Sequence, residues 1–156
     1  MTVERYATAR DLFEAARTAA QELERISTQR EMLAMRRGYR SPSLSPMGAA
    51  SRTDANGTDA SNALMDFEAL MAERSESDME LLDYASGVLY GRNGRGGLSS
   101  AMGGIYADIL CWRYLMACTW DVTATANRVD DRTARIYADS ALAAVDECGL
   151  MRSDAP

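Results

Sequence analysis

The chain has 156 residues; its 17 basic residues are all arginine, and 23 acidic residues bring the formal net charge to -6. It contains no histidine, which excludes a Ser-His or Cys-His catalytic pair and an imidazole metal ligand. No run of about 20 apolar residues is present, so we expect no membrane partner.

Composition favours helices, because aromatic residues make up 7% of the chain while Ala, Met and Leu are plentiful. We therefore predict an all-α fold. The beginning of the sequence lacks the apolar stretch of a signal peptide, which predicts a cytoplasmic protein. The three cysteines form no Cys-x-x-Cys pair, so neither a disulfide framework nor a zinc site is expected.

The first helix is predicted over residues 3–37, and Gly38 is expected to end it. Apolar positions alternate three and four residues apart, which is the seam of a coiled coil with one polar interruption. The seam consists of Leu12, Ala16, Ala19, Leu23, Ile26, Arg30 and Leu33.

A second helix is predicted over residues 61–90, with the same spacing of apolar residues. Residues 40–60 hold two Ser-Pro steps and many small polar side chains, so we expect a disordered loop there. The two helices would pair as an antiparallel coiled-coil hairpin over residues 1–90. Such a hairpin leaves apolar surface open, which predicts self-association of the chain as a dimer.

In that hairpin Leu33 would meet Leu64, and Leu12 would meet Ala85. Residues 91–104 come next and hold six glycines. They lack the Gly-Lys-Ser/Thr ending of a P-loop and do not come after a strand, so a Gly-rich hinge is predicted rather than a nucleotide site.

Residues 105–150 are predicted to form a three-helix domain of the helix-turn-helix kind. An apolar helix over 105–118 comes first. Thr119 is expected to cap a short second helix, and Asp130 or Asp131 is expected to cap a third helix over 131–147. The buried side of the last helix is predicted to be Ala134, Tyr137 or Ala138, Ala141, Leu142 and Val145.

This region resembles region 4 of bacterial sigma factors. It resembles more closely the small phage and prophage transcriptional regulators that carry such a motif behind a helical hairpin. The Leu-Tyr-Gly step at residues 89–91 and the Gly pair after it fit the same family. The motif residues are Arg113-Tyr114-Leu115, Thr119-Trp120, Ala124, Arg132-Thr133 and Ala141-Leu142.

The sequence departs from that family at three positions. The family usually has an aliphatic residue, a Leu and a Gly where Thr123, Asn127 and Arg128 stand. A buried polar group without partners costs about 1–3 kcal/mol. Either the second helix is rotated, so that Val122 and Ala126 face the core, or the domain is marginally stable.

The resemblance implies a DNA-binding transcriptional regulator in a bacterial host cell. In this interpretation the third helix enters the major groove of double-stranded DNA, where its first turns reach base edges. An Asp there can cap the helix or accept from cytosine, and a Thr or Ile can contact a phosphate or a thymine methyl. The expected DNA-binding residues are Arg128, Asp131, Arg132, Thr133, Arg135 and Ile136.

Charge supports an alternative function. Residues 104–156 hold five Arg against eight acidic residues, whereas a groove reader normally presents a basic face. The alternative is a phage-encoded, non-enzymatic protein that binds host RNA polymerase or another host complex, including a defence complex. A positive surface around Arg132 and Arg135 would favour DNA, and a negative one would favour the alternative.

Catalysis has no support in the sequence. The acidic pairs Asp130-Asp131 and Asp146-Glu147 are adjacent, so their side chains diverge on a helix and do not form an acid/base pair. We expect no enzyme activity, no cofactor and no metal.

Overall fold

The computed structural model describes residues 6–39, 50–93 and 95–151, which are helical with short connections and contain no strand. The predicted all-α fold is therefore confirmed. None of the helices in this part of the chain is long and apolar enough to cross a membrane. The helices are α1 (Ala9–Tyr39), α2 (Ala50–Tyr90), α3 (Gly97–Met102), α4 (Gly104–Leu110), α5 (Trp120–Ala126) and α6 (Asp131–Glu147).

The chain divides into two compact units, and both long helices contribute to each. The larger unit comprises Met1–Gln21 and Asp78–Pro156, and the smaller unit comprises Glu22–Ser77. The predicted division at residues 91–104 is therefore wrong, because the larger unit contains the chain on both sides of that segment.

One apolar core holds the larger unit together. The predicted face of α6 is buried, and its Ala138, Ala141, Leu142 and Val145 belong to this core, with Tyr137 partly buried against it. The start of α1 and the end of α2 belong to the same core, so the C-terminal helices are not a separate three-helix domain. The largest side chains in this core with almost no exposure are Phe13, Leu12, Leu89, Leu98, Ile109, Leu110 and Val145.

The long helices differ from the prediction at their ends. α1 begins at Ala9 and passes through Gly38 to Tyr39, and α2 begins at Ala50. Residues 50–60, expected in the loop, are therefore helical, while residues 1–5 and 40–49 lie outside the described residues. Small polar residues are compatible with a helix, and one Gly in its interior costs only about 1 kcal/mol relative to Ala.

The predicted hinge is largely structured. α3 occupies residues 97–102, and its Leu98 is fully buried. The backbones of Gly91 and Gly97 approach so closely that a Cβ on Gly97 would lie 2.4 Å from the Gly91 nitrogen. Glycine is required at these two positions, which also have positive φ. The glycines thus serve close packing rather than mobility.

The apolar helix expected over 105–118 is shorter and changes its winding. α4 continues directly into a π-helical segment, Cys111–Leu115. Ala117 then takes a left-handed conformation with φ 55°, which ends the helix three residues before α5.

The coiled-coil hairpin stays a prediction. Leu12 and Ala85, its expected partners in the larger unit, are both buried in the core. In the smaller unit Ile26 and Met71 are buried and Leu33 is half-buried. The expected partner of Leu33, Leu64, lies outside the described side chains.

Helix α5 places Thr123, and not Val122 or Ala126, towards the core. Thr123 is fully buried, whereas Val122 is 45% exposed and Ala126 is exposed, so the helix is not rotated. The Thr123 hydroxyl donates to the Thr119 carbonyl oxygen at 2.8 Å. Its burial therefore leaves no unsatisfied polar atom.

We predict that Thr123→Val leaves the free energy of unfolding unchanged or raises it by up to about 1 kcal/mol. Valine has the same shape, and the Thr119 carbonyl still accepts from the Thr123 backbone N–H at 2.9 Å. Urea denaturation followed by circular dichroism measures the change. Thr125→Val, at an exposed position of the same helix, is the control. A loss of more than about 1 kcal/mol would contradict this account of the core.

Candidate nucleic-acid interface

The start of α6 is capped by Asp130, one of the two residues expected there. Its carboxylate accepts from the Thr133 backbone N–H at 2.6 Å. Hydrogen bonding by Thr133, through its side chain and its backbone, holds the pKa of Asp130 below the ordinary 3.8. Asp131 is therefore the first residue of the helix and not its cap. Its negative charge is still favourable at a helix N-terminus.

Thr119 caps α5, as predicted. Its hydroxyl oxygen accepts from the Val122 backbone N–H at 3.3 Å, and the backbone at Thr119 is extended. Both short-range caps thus lie where the sequence predicts them, and they fix where α5 and α6 begin.

A tight turn of four residues, 127–130, joins α5 to α6. Asn127 donates from its side-chain amide to the Thr123 carbonyl at 2.8 Å. Arg128 has φ 57°, the left-handed conformation that glycine adopts most readily. The Val129 N–H donates to the Ala124 carbonyl at 3.1 Å, and Ala124 is buried. Arg128 therefore occupies the left-handed position of the turn.

The six predicted DNA-binding residues lie close together in sequence, but their environments differ. Arg128, Asp131, Arg132, Arg135 and Ile136 are exposed, and Ile136 has 51% of its surface accessible. Thr133 is half-buried beside the Asp130 cap. Among the described residues, the side chains of Arg128 and Arg132 have no hydrogen bond or ion pair.

Arg135 is held in place by two neighbours. Its Nε donates to the Asp131 carboxylate at 2.9 Å, four residues back in α6. Its guanidinium lies 5.1 Å from the ring centre of Trp120. Trp120 therefore orients an expected base-contacting residue, although the sequence prediction used Trp120 only as part of a motif.

A second arginine stacks on the same ring. The guanidinium of Arg113 lies 4.4 Å from the centre of the Trp120 ring. Arg17 from α1 donates to the backbone carbonyls of Arg113 and Cys118 at 2.6 and 2.9 Å. Arg113 and Trp120 were already part of the motif, whereas no signal in the sequence links Arg17 to residues about 100 positions away.

Carboxylates are interspersed with these cations. Asp139 on α6 pairs with Arg10 at 2.9 Å, and Asp121 is exposed on α5. Asp130 and Asp131 flank the start of α6. The surface near Arg132 is thus of mixed charge, neither uniformly positive nor uniformly negative.

No protein-family model, curated protein or solved structure matches this chain. Function is therefore inferred from the side-chain geometry of the described residues.

The Asp130 cap predicts a dependence of stability on pH. A carboxylate whose folded-state pKa is depressed stabilises the fold above its unfolded-state pKa, and this contribution is lost as pH falls through the folded-state value. Asp130→Ala should therefore lower the melting temperature at neutral pH, and the difference from the natural chain should shrink below pH 3.8. Thermal melts followed by circular dichroism test this. The prediction is contradicted if the difference in melting temperature stays constant down to pH 2–3, which lies about one unit below the ordinary pKa of Asp.

Proposed function

We propose that this protein binds double-stranded DNA through α5, the turn and α6, and regulates transcription as the phage and prophage regulators it resembles do. The observation that carries the proposal is the turn. A capped α5, a four-residue turn with a left-handed Arg128 and a capped α6 succeed one another, and a turn of this length is typical of a helix-turn-helix. The proposed setting is the cytoplasm of a bacterial host cell.

The side chains at the start of α6 suit base contact. Arg132 and Ile136 are four residues apart, so they project from the same face of the helix. Arginine can pair with the O6 and N7 acceptors of guanine, and isoleucine can contact a thymine methyl. Arg128 precedes the helix in the turn, where a cation contacts phosphate more readily than bases. Thr133 and Asp131 complete the proposed contact set.

A selection from random duplexes at near-physiological salt tests the proposal. We expect one sequence to be enriched. Arg132→Ala should weaken binding to it by about 5- to 150-fold while affecting random DNA less, because a bidentate contact discriminates by about 1–3 kcal/mol. Arg135→Ala should act in the same direction but less strongly, because Asp131 already holds that guanidinium.

Arg128→Ala should weaken binding to all duplexes about equally and lower the salt slope by about one. Arg25→Ala removes an exposed charge from the middle of α1 and is the matched control for lost charge. If no duplex is enriched and binding is insensitive to salt, the DNA-binding proposal is wrong.

The second candidate function is binding to a host protein complex such as RNA polymerase. The paired charges favour it, because Asp131 neutralises Arg135 and Asp139 engages Arg10. Ile136 and Val122 would then act as exposed apolar contacts. Purified bacterial RNA polymerase should bind the natural chain but not the Ile136→Asp variant. Neither protein should bind duplex DNA.

We also infer self-association through the smaller unit, with a second copy of the chain as the partner. Two reading helices in one particle match a two-fold operator. Among the described side chains of this unit, Ile26 and Met71 are the buried large apolar ones. Four other large apolar side chains there are between 45% and 64% exposed: Met32, Met35, Met65 and Leu70.

Sedimentation at micromolar concentration should give twice the 17.0 kDa mass of the chain. Met35→Glu with Leu70→Glu should return the protein to the monomer mass, because two charges would be buried in the interface. Met79→Glu is the control, since Met79 is 62% exposed but lies in the larger unit. A natural chain that sediments as a monomer would refute the dimer.

A further inference from the structure

Two arginines from distant parts of the chain converge on one backbone oxygen. The carbonyl of Cys118 accepts from Arg17 at 2.9 Å and from Arg113 at 3.0 Å. Arg17 also donates to the carbonyl of Arg113 itself at 2.6 Å. The two guanidinium groups therefore lie side by side, just before the start of α5.

This pair of positive charges has no carboxylate in contact among the described residues. Burial, and next the positive charge of Arg17, lower the pKa of Arg113. Glu14 lies nearby on α1 but is exposed and forms no ion pair with either arginine in the described part of the chain. Like charges this close repel each other, and carbonyl dipoles offset that repulsion only in part.

One donor in the pair is left without an acceptor. The Nε of Arg113 is buried and has no hydrogen-bond partner. A buried N–H of a charged group that lacks a partner costs more than that of a neutral group. An anion bound against the two guanidinium groups would neutralise the pair and so offset this cost.

Aromatic stacking holds this cluster in one geometry. Trp120 carries Arg113 on its ring at 4.4 Å and Arg135 at 5.1 Å. Because Arg135 lies in the first turns of α6, the pair of Arg17 and Arg113 lies next to the proposed DNA-contacting residues of that helix. Among the described residues, Asp131 is the one carboxylate in contact with any of these three guanidinium groups, and the group it contacts is that of Arg135. Guanidinium groups fixed in this way lose little freedom when they bind an oxyanion.

We propose that Arg17 and Arg113 form a phosphate-binding site, with Arg135 at its edge. Arginine is the side chain best suited to phosphate, because its planar array of N–H donors matches the phosphate oxygens. The same chemistry would serve a phosphate of the DNA backbone or a free phosphate compound. The choice of the DNA backbone rests on the proposed function, since the site lies beside α5 and α6.

The first test uses the natural chain and no DNA. Pyrophosphate is titrated at constant ionic strength into protein labelled with ¹⁵N on arginine. The side-chain Nε–H signals of Arg113 and Arg17 should shift and saturate, while those of the exposed Arg25 and Arg36 should not. Absence of a saturating shift up to millimolar pyrophosphate would overturn the phosphate site. Because no residue is replaced, a failure to fold cannot obscure the result.

The second test identifies the source of the phosphate. Arg17→Gln removes the charge and leaves a polar amide side chain, and Arg25→Gln is matched to it in charge. Binding to a random duplex is measured against salt concentration. Arg17→Gln should lower the slope by about 0.9, the value for one phosphate contact, and Arg25→Gln should leave it unchanged.

The outcomes separate the two proposals. A saturating pyrophosphate shift with a reduced slope supports a DNA backbone contact. A shift with DNA binding but an unchanged slope overturns that contact and assigns the site to a free phosphate compound. A shift without any DNA binding sustains the phosphate site while the proposed function fails.

Discussion

The hydrogen bonds of Arg17 to the carbonyls of Arg113 and Cys118 join the first helix to the segment that leads into α5. The rest of the candidate interface depends on them. The π-helical segment ends at Leu115, and the left-handed Ala117 breaks the regular pattern of backbone hydrogen bonds. Carbonyl groups in such a break need other partners. Side-chain N–H groups from Arg17 and Arg113 supply them and hold this short connection against the core.

Beyond that fixed connection, local chemistry determines the path of the chain. Thr119 caps α5 at once, which places Trp120 in the first turn beside Arg113. After the seven residues of α5 the chain turns through Asn127 and Arg128, and Asp130 caps α6. The two caps and the Asn127 hydrogen bond each depend on a neighbour no more than four residues away, the range of contacts within helices and their caps. The orientation of α6 relative to the core is then set by its apolar face, which packs into the larger unit.

The difference between contacts among near neighbours and contacts between distant residues explains how much of the structure the sequence predicts. The bounds of α6, the caps and the buried face of α6 depend on contacts between near neighbours, and the sequence predicts them. The burial of Leu98 and the packing of Gly91 against Gly97 depend on tertiary contacts, so composition alone predicts a hinge there. The composition of residues 50–60 is compatible with a loop and equally with a helix. Of the site, the α6 residues were predictable from a motif. Arg17 was not, because its partners lie 96 and 101 residues further along the chain.

Charge balance connects these local features to function. A chain with net charge -6 gains little from general attraction to nucleic acid, so any affinity for DNA has to come from a few arginines in fixed positions. Trp120 and Asp131 restrict Arg135, and backbone carbonyls restrict Arg17 and Arg113, before any partner arrives. Fixing these side chains in advance reduces the entropy lost on binding. In the proposed function, the nearby carboxylates would also weaken contacts with phosphates in unsuitable positions, because a misplaced duplex would bring its negative charge against Asp121, Asp130 or Asp139. An acidic protein can in this way favour a specific site over bulk DNA, since repulsion contributes to specificity as well as attraction does.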